Sequence, residues 1–185
     1  MIREVLQLGN PLLREIAKPI AINNSHGIST PAIDAQNLAQ LAQDMLDTML
    51  AEGGIGIAAP QIGVSLRVML VASQPNARYP HAPAMAPILM LNPLLEWSSD
   101  VTVKDWEGCL SVPGIRALVP RSVHIRVRYT DAGTLQETLI EYRDFVARVW
   151  LHEFDHLNGI VYPDRMESTR DMVTEAEFRK LTSQQ

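Results

Sequence analysis

The sequence predicts an α+β fold, because its predicted strands and helices fall in separate blocks instead of alternating along the chain. Three observations lead to this prediction: an early amphipathic helix, a middle block of strands with a hairpin, and a second helix flanked by apolar residues. The 185 residues fit a single domain, 1–185, that is long enough to enclose a core.

The first helix is predicted to begin at Pro31, a favourable first helical residue, with Thr30 as its N-cap. The glycine pair 53–54 ends it. Apolar residues recur at spacings of three and four, which predicts one buried face made of Leu38, Leu41, Met45 and Met49. Methionines in such a stripe are typical of a core.

A block of short strands follows. Residues 66–72 and 88–91 read as strands, and the proline-rich segment 73–87 between them reads as a surface loop. Residues 122–129 alternate apolar and polar side chains, 131–133 turn, and 135–142 return, which predicts a hairpin. Its basic face, formed by His124, Arg126 and Arg128, is predicted to face solvent; contact with RNA is the alternative.

Two further helices are predicted. One covers 145–157, with Asp144 as its N-cap and Gly159 beyond its end. The last begins at Thr174, which forms a capping box with Glu177.

Composition excludes several classes of function. The formal net charge of −5 argues against binding to duplex DNA. Charged residues interrupt the N-terminal segment, so no signal peptide is predicted. The apolar stretch 84–91 is far too short to span a bilayer. We therefore expect a cytoplasmic protein with neither DNA nor membrane as a partner.

The segment 152–156, HEFDH, carries the strongest local signal for chemistry. Two histidines four apart lie one turn apart on the same face of a helix, so both rings can reach one metal ion. Glu153 lies beside them as a candidate general base. Apolar residues flank this helix, which indicates that it is buried.

A third protein ligand is needed for a catalytic metal site. The metzincin pattern fails, because Tyr162 stands where its third histidine would be. Glu175 or Glu177 would complete a thermolysin-like site. Cys109, the single cysteine, is the other candidate; taken alone it reads as a buried filler or as a thiol nucleophile paired with histidine.

A glycine-rich segment, GIGIAAPQ at 54–61, lacks the lysine and the Ser/Thr of a phosphate loop. It can instead connect a helix to a strand, or pair its backbone with an extended peptide. Gln61 at its end can donate a hydrogen bond to an oxyanion.

Taken together, the segments 54–61, 107–111 (EGCLS) and 152–156 resemble the three ordered motifs of the peptide deformylase family. Residues beside these motifs also resemble the family, among them those at 91–93 and 112–114. The likeness covers roughly Leu12 to Met166. Leu151 departs from it, since the family commonly has glutamine there.

The resemblance implies small antiparallel sheets packed around a central helix that carries the HExxH metal motif. It implies hydrolysis of the N-formyl group from the formyl-methionine of nascent polypeptides, with release of formate. One divalent ion, Fe²⁺ in the cell with Zn²⁺, Ni²⁺ or Co²⁺ as replacements, would be held by Cys109, His152 and His156. The partners would be formyl-methionyl nascent chains, with transient contact to the ribosome.

The same resemblance implies roles for the other motif residues. Glu153 would act as general base and then as general acid. Gln61 and the backbone amide of Leu110 would stabilise the oxyanion. The substrate would be contacted by Ile55, Gly56, Glu107, Gly108 and Val149. A thermolysin-like metallopeptidase and a non-catalytic structural metal-binding module remain the alternative functions.

Overall fold

The computed structural model describes residues 1–21, 34–75 and 82–182. Within these ranges, the helices are α1 Ala35–Ala51, α2 Asp144–Leu157 and α3 Glu175–Thr182. The strands are β1 Gly56–Ala58, β2 Val68–Ser73, β3 Met85–Ser98, β4 Thr102–Cys109, β5 Val112–Ser122, β6 His124–Asp131, β7 Glu137–Arg143 and β8 Met172–Thr174. Among the described residues, no helix combines the length and the apolar character needed to cross a membrane.

The strands form two antiparallel sheets, in the orders β1-β2-β3-β6-β7 and β4-β5-β8. These two small sheets and three helices confirm the predicted α+β class. Helix α2 contacts β1 and β2 of the larger sheet and also β5 of the smaller one. It therefore lies where the two sheets meet, which positions its side chains between them.

Strand β2 is buried on both faces, which explains its continuous apolar sequence. Met69 and Val71 pack in the core cluster of α2, whereas Val68 and Leu70 pack in the cluster of α1. The predicted core face of α1 is confirmed, since Met45 and Met49 are fully buried. The fold is thus layered, with α1 and α2 on opposite faces of the β1–β2 region.

Several predicted boundaries were wrong. Helix α1 begins at Ala35, where the Asp34 carboxylate accepts the Asn37 N–H at 2.7 Å; Thr30 and Pro31 lie outside the described residues. Strand β3 extends beyond 88–91 at both ends. A register shift at Asn92, whose φ is 49°, lets it continue past the Asn-Pro pair.

The two later helices lie close to their predictions. Asp144 is the first residue of α2 rather than its N-cap, and Arg143 precedes it without a capping side-chain bond. At α3, the Thr174 hydroxyl accepts the Glu177 N–H at 3.3 Å, as expected for the N-cap. The Glu177 carboxylate binds Lys180.

The hairpin is confirmed as β6 and β7. Its basic face does not carry an excess of positive charge. Arg126 pairs with Glu141, and Arg128 pairs with Glu96 and Glu137. These carboxylates neutralise the arginines. The face therefore agrees with the prediction that it is exposed to solvent, and not with the alternative that it contacts RNA.

Gly159 allows the end of α2 to pack closely against the N-terminal segment. Its φ is +72°, and an added Cβ would lie 2.5 Å from the Arg14 carbonyl oxygen. We expect Gly159→Ala to lower the free energy of unfolding by about 2–4 kcal/mol, as measured by urea denaturation. Gly53→Ala is the matched control, because Gly53 has φ +64° with nothing within 4 Å. That change should cost about 1–2 kcal/mol; equal losses would contradict the steric argument.

Candidate metal centre and active site

The motif cysteine and the two motif histidines meet in the folded chain. Cys109 is the last residue of β4, and a tight turn joins it to β5. His152 and His156 face it from α2. The Cys109 Sγ lies 3.2 Å from His156 Nε2, and one ligand atom from each residue lies within 4.8 Å of the others. All three side chains are buried.

The electrostatics favour the thiolate form of Cys109. Burial alone would raise the pKa of this thiol, but His156 and His152 lower it well below its usual range. The Ser111 N–H also donates to Sγ at 3.3 Å. A thiolate is the form that binds metal, and with two imidazoles it gives a three-donor set that leaves a position open. The residues present therefore fit one divalent ion.

Glu107 orients His152. The His152 Nδ1–H donates to Glu107 Oε2 at 2.8 Å, which leaves Nε2 as the ring nitrogen that faces Cys109. Burial alone would raise the pKa of Glu107, but His152 and Arg121 lower it far below its usual range. The carboxylate is therefore ionised. This carboxylate fixes the orientation of the His152 ring. Glu107 also borders the pocket described below.

A buried ion network behind Glu107 escaped the sequence analysis. Arg121 binds both Glu107 oxygens at 2.8 and 3.0 Å and reaches Asp155 at 2.6 Å. Arg148 donates to Glu107 at 2.9 Å and to the Val119 carbonyl at 2.8 Å. The sequence could have predicted that Arg148 belongs to the site, because it lies one helical turn before His152 and so shares its face of the helix. No sequence pattern could have predicted Arg121, since its partners are distant in sequence.

Glu153 lies beside the three donors, and it is fully enclosed. Burial raises the pKa of Glu153 to about 7. Its Oε2 has no hydrogen-bond partner among the described residues. Gly56 of β1 faces this carboxylate so closely that an added Cβ would lie 2.5 Å from Oε1. A larger residue at this position would therefore push the carboxylate aside.

Since Glu153 is predicted to be the general base of a deformylation, we expect Gly56→Ala to displace its carboxylate and to lower kcat/KM for that reaction by about 10²-fold or more, because misplacing a reacting group by about 1 Å costs that much. Gly133→Ala in the turn between β6 and β7 is the control, since its Cβ would lie 3.4 Å from Asp131 Oδ1, an ordinary contact away from the pocket. It should cost much less activity. A Gly56→Ala protein with normal kcat/KM would contradict this role.

Gln61 is held with its amide nitrogen towards the donors. Its Oε1 accepts the Ala58 N–H at 2.8 Å. The Nε2 then lies 3.2 Å from Ser111 Oγ and 3.6 Å from Cys109 Sγ. Leu110 follows Cys109 in the turn between β4 and β5, so both predicted oxyanion donors border the same site.

A narrow pocket of about 50 Å³ opens beside these groups. One water needs about 10–15 Å³ on this measure, so the pocket suits a slender side chain. Each predicted substrate-contact residue lines it, namely Ile55, Gly56, Glu107, Gly108 and Val149. Sequence reasoning missed Trp106, Phe145 and Arg148, which also line it.

The two alternative ligands, Glu175 and Glu177, form other ion pairs, and Tyr162, which stands where a metzincin would have its third histidine, is also engaged elsewhere. Glu175 binds Arg116 at 2.7 Å, and Glu177 binds Lys180 at 2.6 Å. Tyr162 is buried, and its hydroxyl donates to the Ile115 carbonyl at 3.2 Å. None of these side chains belongs to the three-donor group that the described residues form around His152 and His156.

Comparison with known proteins decides the family. A family model described as polypeptide deformylase matches residues 2–172. The chain belongs to the peptide deformylase family. It is 46% identical over 180 residues to peptide deformylase 2 of Nostoc sp., covering 97% of this chain and 94% of the relative. It is 43% identical over 183 residues to peptide deformylase 2 of Ralstonia nicotianae, covering 98% and 97%.

Solved peptide deformylases share the fold. A class I type b enzyme from Acinetobacter baumannii with Met-Ala-Ser bound has a TM-score of 0.81 and 38% identity, covering 90% of this chain and 99% of that one. The Thermotoga maritima enzyme has a TM-score of 0.74 and 30% identity, covering 91% and 99%. The family's reaction is hydrolytic removal of an N-formyl group by an enzyme with one divalent metal. The chain is thus an enzyme of this kind, and the thermolysin-like and non-catalytic alternatives are rejected.

Proposed function

We propose that Cys109, His152 and His156 hold the single divalent ion of this deformylase, and that Glu153 carries the protons of the reaction. The observation that supports this most directly is the pairing of a three-donor group with a buried carboxylate whose Oε2 has no hydrogen-bond partner among the described residues. A buried ionisable group without a partner is costly, and active sites are where such groups are retained.

The chemistry of the donors favours Fe²⁺, Zn²⁺, Ni²⁺ or Co²⁺ over Mg²⁺ or Ca²⁺, because thiolate and imidazole are soft or intermediate ligands. Fe²⁺ is the ion we propose for the cell. When bound, the ion supplies Lewis acidity, which makes water more acidic and polarises the formyl carbonyl. Glu107 keeps the His152 ring oriented for this task.

Glu153 moves protons in both halves of the reaction. Its carboxylate accepts a proton from water as the water oxygen attacks the formyl carbon. It then donates that proton to the methionine nitrogen as the carbon–nitrogen bond breaks, and formate leaves. A pKa near 7 suits a group that must both take up and release a proton near neutral pH.

Gln61 and the Leu110 backbone amide stabilise negative charge on the formyl oxygen. The bond from Ala58 to Gln61 Oε1 fixes the side chain, so its Nε2–H groups are already oriented towards the site. A donor that needs no reorientation during the reaction contributes most, and losing one typically costs about 10²–10³ in rate.

The substrate we propose is an N-formyl-methionyl peptide. Ile55 and Val149 give the pocket apolar walls, and an unbranched methionine side chain fits its narrow shape. Gly56 and Gly108 leave room for the peptide backbone to approach. The structure of the Acinetobacter baumannii relative contains Met-Ala-Ser, the peptide that would remain after formyl-Met-Ala-Ser loses its formyl group.

We further propose that 1–185 acts as one catalytic domain with α2 as its central, metal-bearing helix. Because formyl-methionine occurs at the start of newly made chains, nascent polypeptides are the proposed partners. The cytoplasm is the proposed location, and contact with the ribosome would be transient.

Anaerobic purification, metal analysis and a formate-release assay test the proposal together. We expect about one divalent ion per chain and metal-dependent release of formate from formyl-Met-Ala-Ser. Acetyl-Met-Ala-Ser is the control, since the larger acyl group should not be cleaved. Chelation should stop turnover, and Fe²⁺ should restore it. Formate release by the metal-free protein would contradict the proposal.

A further inference from the structure

The N-terminal strap, defined as residues 3–20, forms backbone hydrogen bonds to the first two motif segments. The Leu6 N–H donates to the Gln61 carbonyl at 2.8 Å, and the Leu8 N–H donates to the Ser111 carbonyl at 2.7 Å. Gln61 and Ser111 are the last residues of their motif segments. Because the two donors are two residues apart, at most about 7 Å of chain separates them. The strap therefore limits how far the two segments can move apart.

The strap also reaches the third motif segment. The Ala17 N–H donates to the Leu157 carbonyl at 3.0 Å, and Leu157 directly follows the second motif histidine. All three bonds are made by backbone N–H groups, and each ends on the carbonyl of a residue at or beside a motif. No side-chain pattern in the sequence reveals such contacts, because the bonds do not depend on which side chains the strap carries.

Both ends of the strap are anchored to other elements. Near its start, the Arg3 N–H donates to the Thr48 hydroxyl of α1 at 2.9 Å. At its end, the Ile20 N–H and carbonyl form two hydrogen bonds of 2.8 Å with the Asn92 side chain of β3. Leu13, between these anchors, is only 1% exposed. The strap is thus held in place independently of its bonds to the motifs, so it can support them.

The two proposed oxyanion donors come from segments of different sheets. Gln61 follows β1 of the larger sheet, whereas Leu110 lies in the turn between β4 and β5 of the smaller sheet. Gln61 is bound by Leu6, and Ser111, the residue after Leu110, is bound by Leu8. The strap therefore connects the two halves of the oxyanion site through bonds to the main chain.

We propose that Leu6 and Leu8 are positioning residues of the deformylase, whose N–H groups fix the spacing between the Gln61 side chain and the Leu110 amide. This inference rests on the proposed function. Oxyanion donors contribute most when they are already oriented towards the developing charge, so a change in their spacing lowers the rate without weakening substrate binding. The Leu8 side chain is 46% exposed, so the main contribution of this position is its N–H.

The experiment removes single backbone N–H groups from the strap and leaves its side chains intact. Leucic acid, the α-hydroxy acid of leucine, replaces Leu6, Leu8 or Leu13 by nonsense suppression with a chemically acylated tRNA. Each replacement converts one amide into an ester. Leu13 is the matched control, because its N–H donates to the Asn10 carbonyl at 3.2 Å, within the strap and away from the motifs.

Leu8 and Leu13 are also matched in the side effect of the replacement. An ester weakens the carbonyl of the preceding residue as a hydrogen-bond acceptor. The Gln7 and Leu12 carbonyls each accept one N–H from within the strap, at 2.9 and 3.2 Å. A loss that comes from this side effect therefore affects both esters equally.

We expect the Leu6 and Leu8 esters to lower kcat for formate release from formyl-Met-Ala-Ser about three- to tenfold, because the donors are displaced but not removed. KM and metal affinity should stay unchanged. The Leu13 ester should lower kcat less than about twofold, although its thermal unfolding temperature should fall as much as that of the Leu8 ester.

A cycle with Gln61→Ala distinguishes positioning from general destabilisation. If Leu6 acts through the Gln61 side chain, its ester should lower kcat of the Gln61→Ala protein less than about twofold, because the group that it positions is already absent. A loss of stability alone would lower kcat by the same factor in both backgrounds.

The outcomes separate the two claims. If the wild-type protein releases no formate, or if Gln61→Ala keeps its kcat, the proposed function or the oxyanion role within it fails. If Gln61→Ala lowers kcat but the Leu6 and Leu8 esters do not, the strap is not a positioning element. The same conclusion follows if the Leu13 ester lowers kcat equally, or if the Leu6 ester acts fully without the Gln61 side chain.

Discussion

Glu153→Gln is expected to abolish deformylation while leaving the bound ion in place. Glutamine keeps the shape of the side chain but cannot accept a proton from water. General acid–base catalysis of this kind contributes about 10²–10⁴ in rate, and Glu153 serves in both proton transfers, so we expect a loss at the upper end of that range. The measurement is kcat for formate release from formyl-Met-Ala-Ser, alongside the metal content of the same sample.

Two comparisons make this result specific. Glu177→Gln removes a carboxylate from the exposed face of α3 and should leave kcat unchanged. Glu153→Asp keeps an acid but withdraws it from Gly56, so it should retain more activity than Glu153→Gln. Near-normal turnover by the glutamine variant, with its ion bound, would refute the assigned role of Glu153.

Cys109→Ala is expected to lose the ion. Structural zinc sites bind with about 10–16 kcal/mol, so removing one of three protein donors should cost about 3–5 kcal/mol, or about 10²–10⁴-fold in affinity. The loss should be large because the thiolate is the one anionic donor, and without it two imidazoles remain. Competition with a chromophoric chelator measures this directly and does not depend on activity.

Cys109→Ser is the informative companion. A hydroxyl is a weaker and harder donor than a thiolate, so the serine protein should bind the ion weakly and lose preference for soft ions. Comparison of thermal unfolding without metal shows whether either change disturbs the fold, because Cys109 is buried beside Val112 and Tyr162. Unchanged metal stoichiometry and affinity in Cys109→Ala would show that the third ligand is another residue.

Local pattern predicted the elements of this fold well and their ends less well. Helix α2 and the β6–β7 hairpin follow directly from periods of 3.6 and 2 in the sequence. Strand β3 was underestimated, because Asn92 adopts a positive φ and lets the strand pass a proline pair that usually ends one. Asp144 was assigned as an N-cap because composition does not reveal its backbone conformation.

The candidate site was likewise predicted in part from local sequence and in part decided by contacts between distant segments. The spacing of His152 and His156 defines a metal face on any helix, and the three ordered motifs point to the family. The local pattern left the role of Cys109 open, since nothing local relates it to histidines more than forty positions away, and only the resemblance to the family implied that it is the third ligand. The register of β4 against β5 and the packing of α2 bring Sγ to 3.2 Å from His156.

By itself, the sequence determined what is local: helix and strand periodicity, the histidine pair on one helical face, and the motifs that identify the family. Only the tertiary structure decided which groups share a buried volume. It placed Gly56 against Glu153, Arg121 on Glu107 and Asp155, and α3 against Arg116 and Trp106. The physical reason is that burial and charge pairing arise from contacts between distant segments, and composition and periodicity within a segment do not specify those contacts.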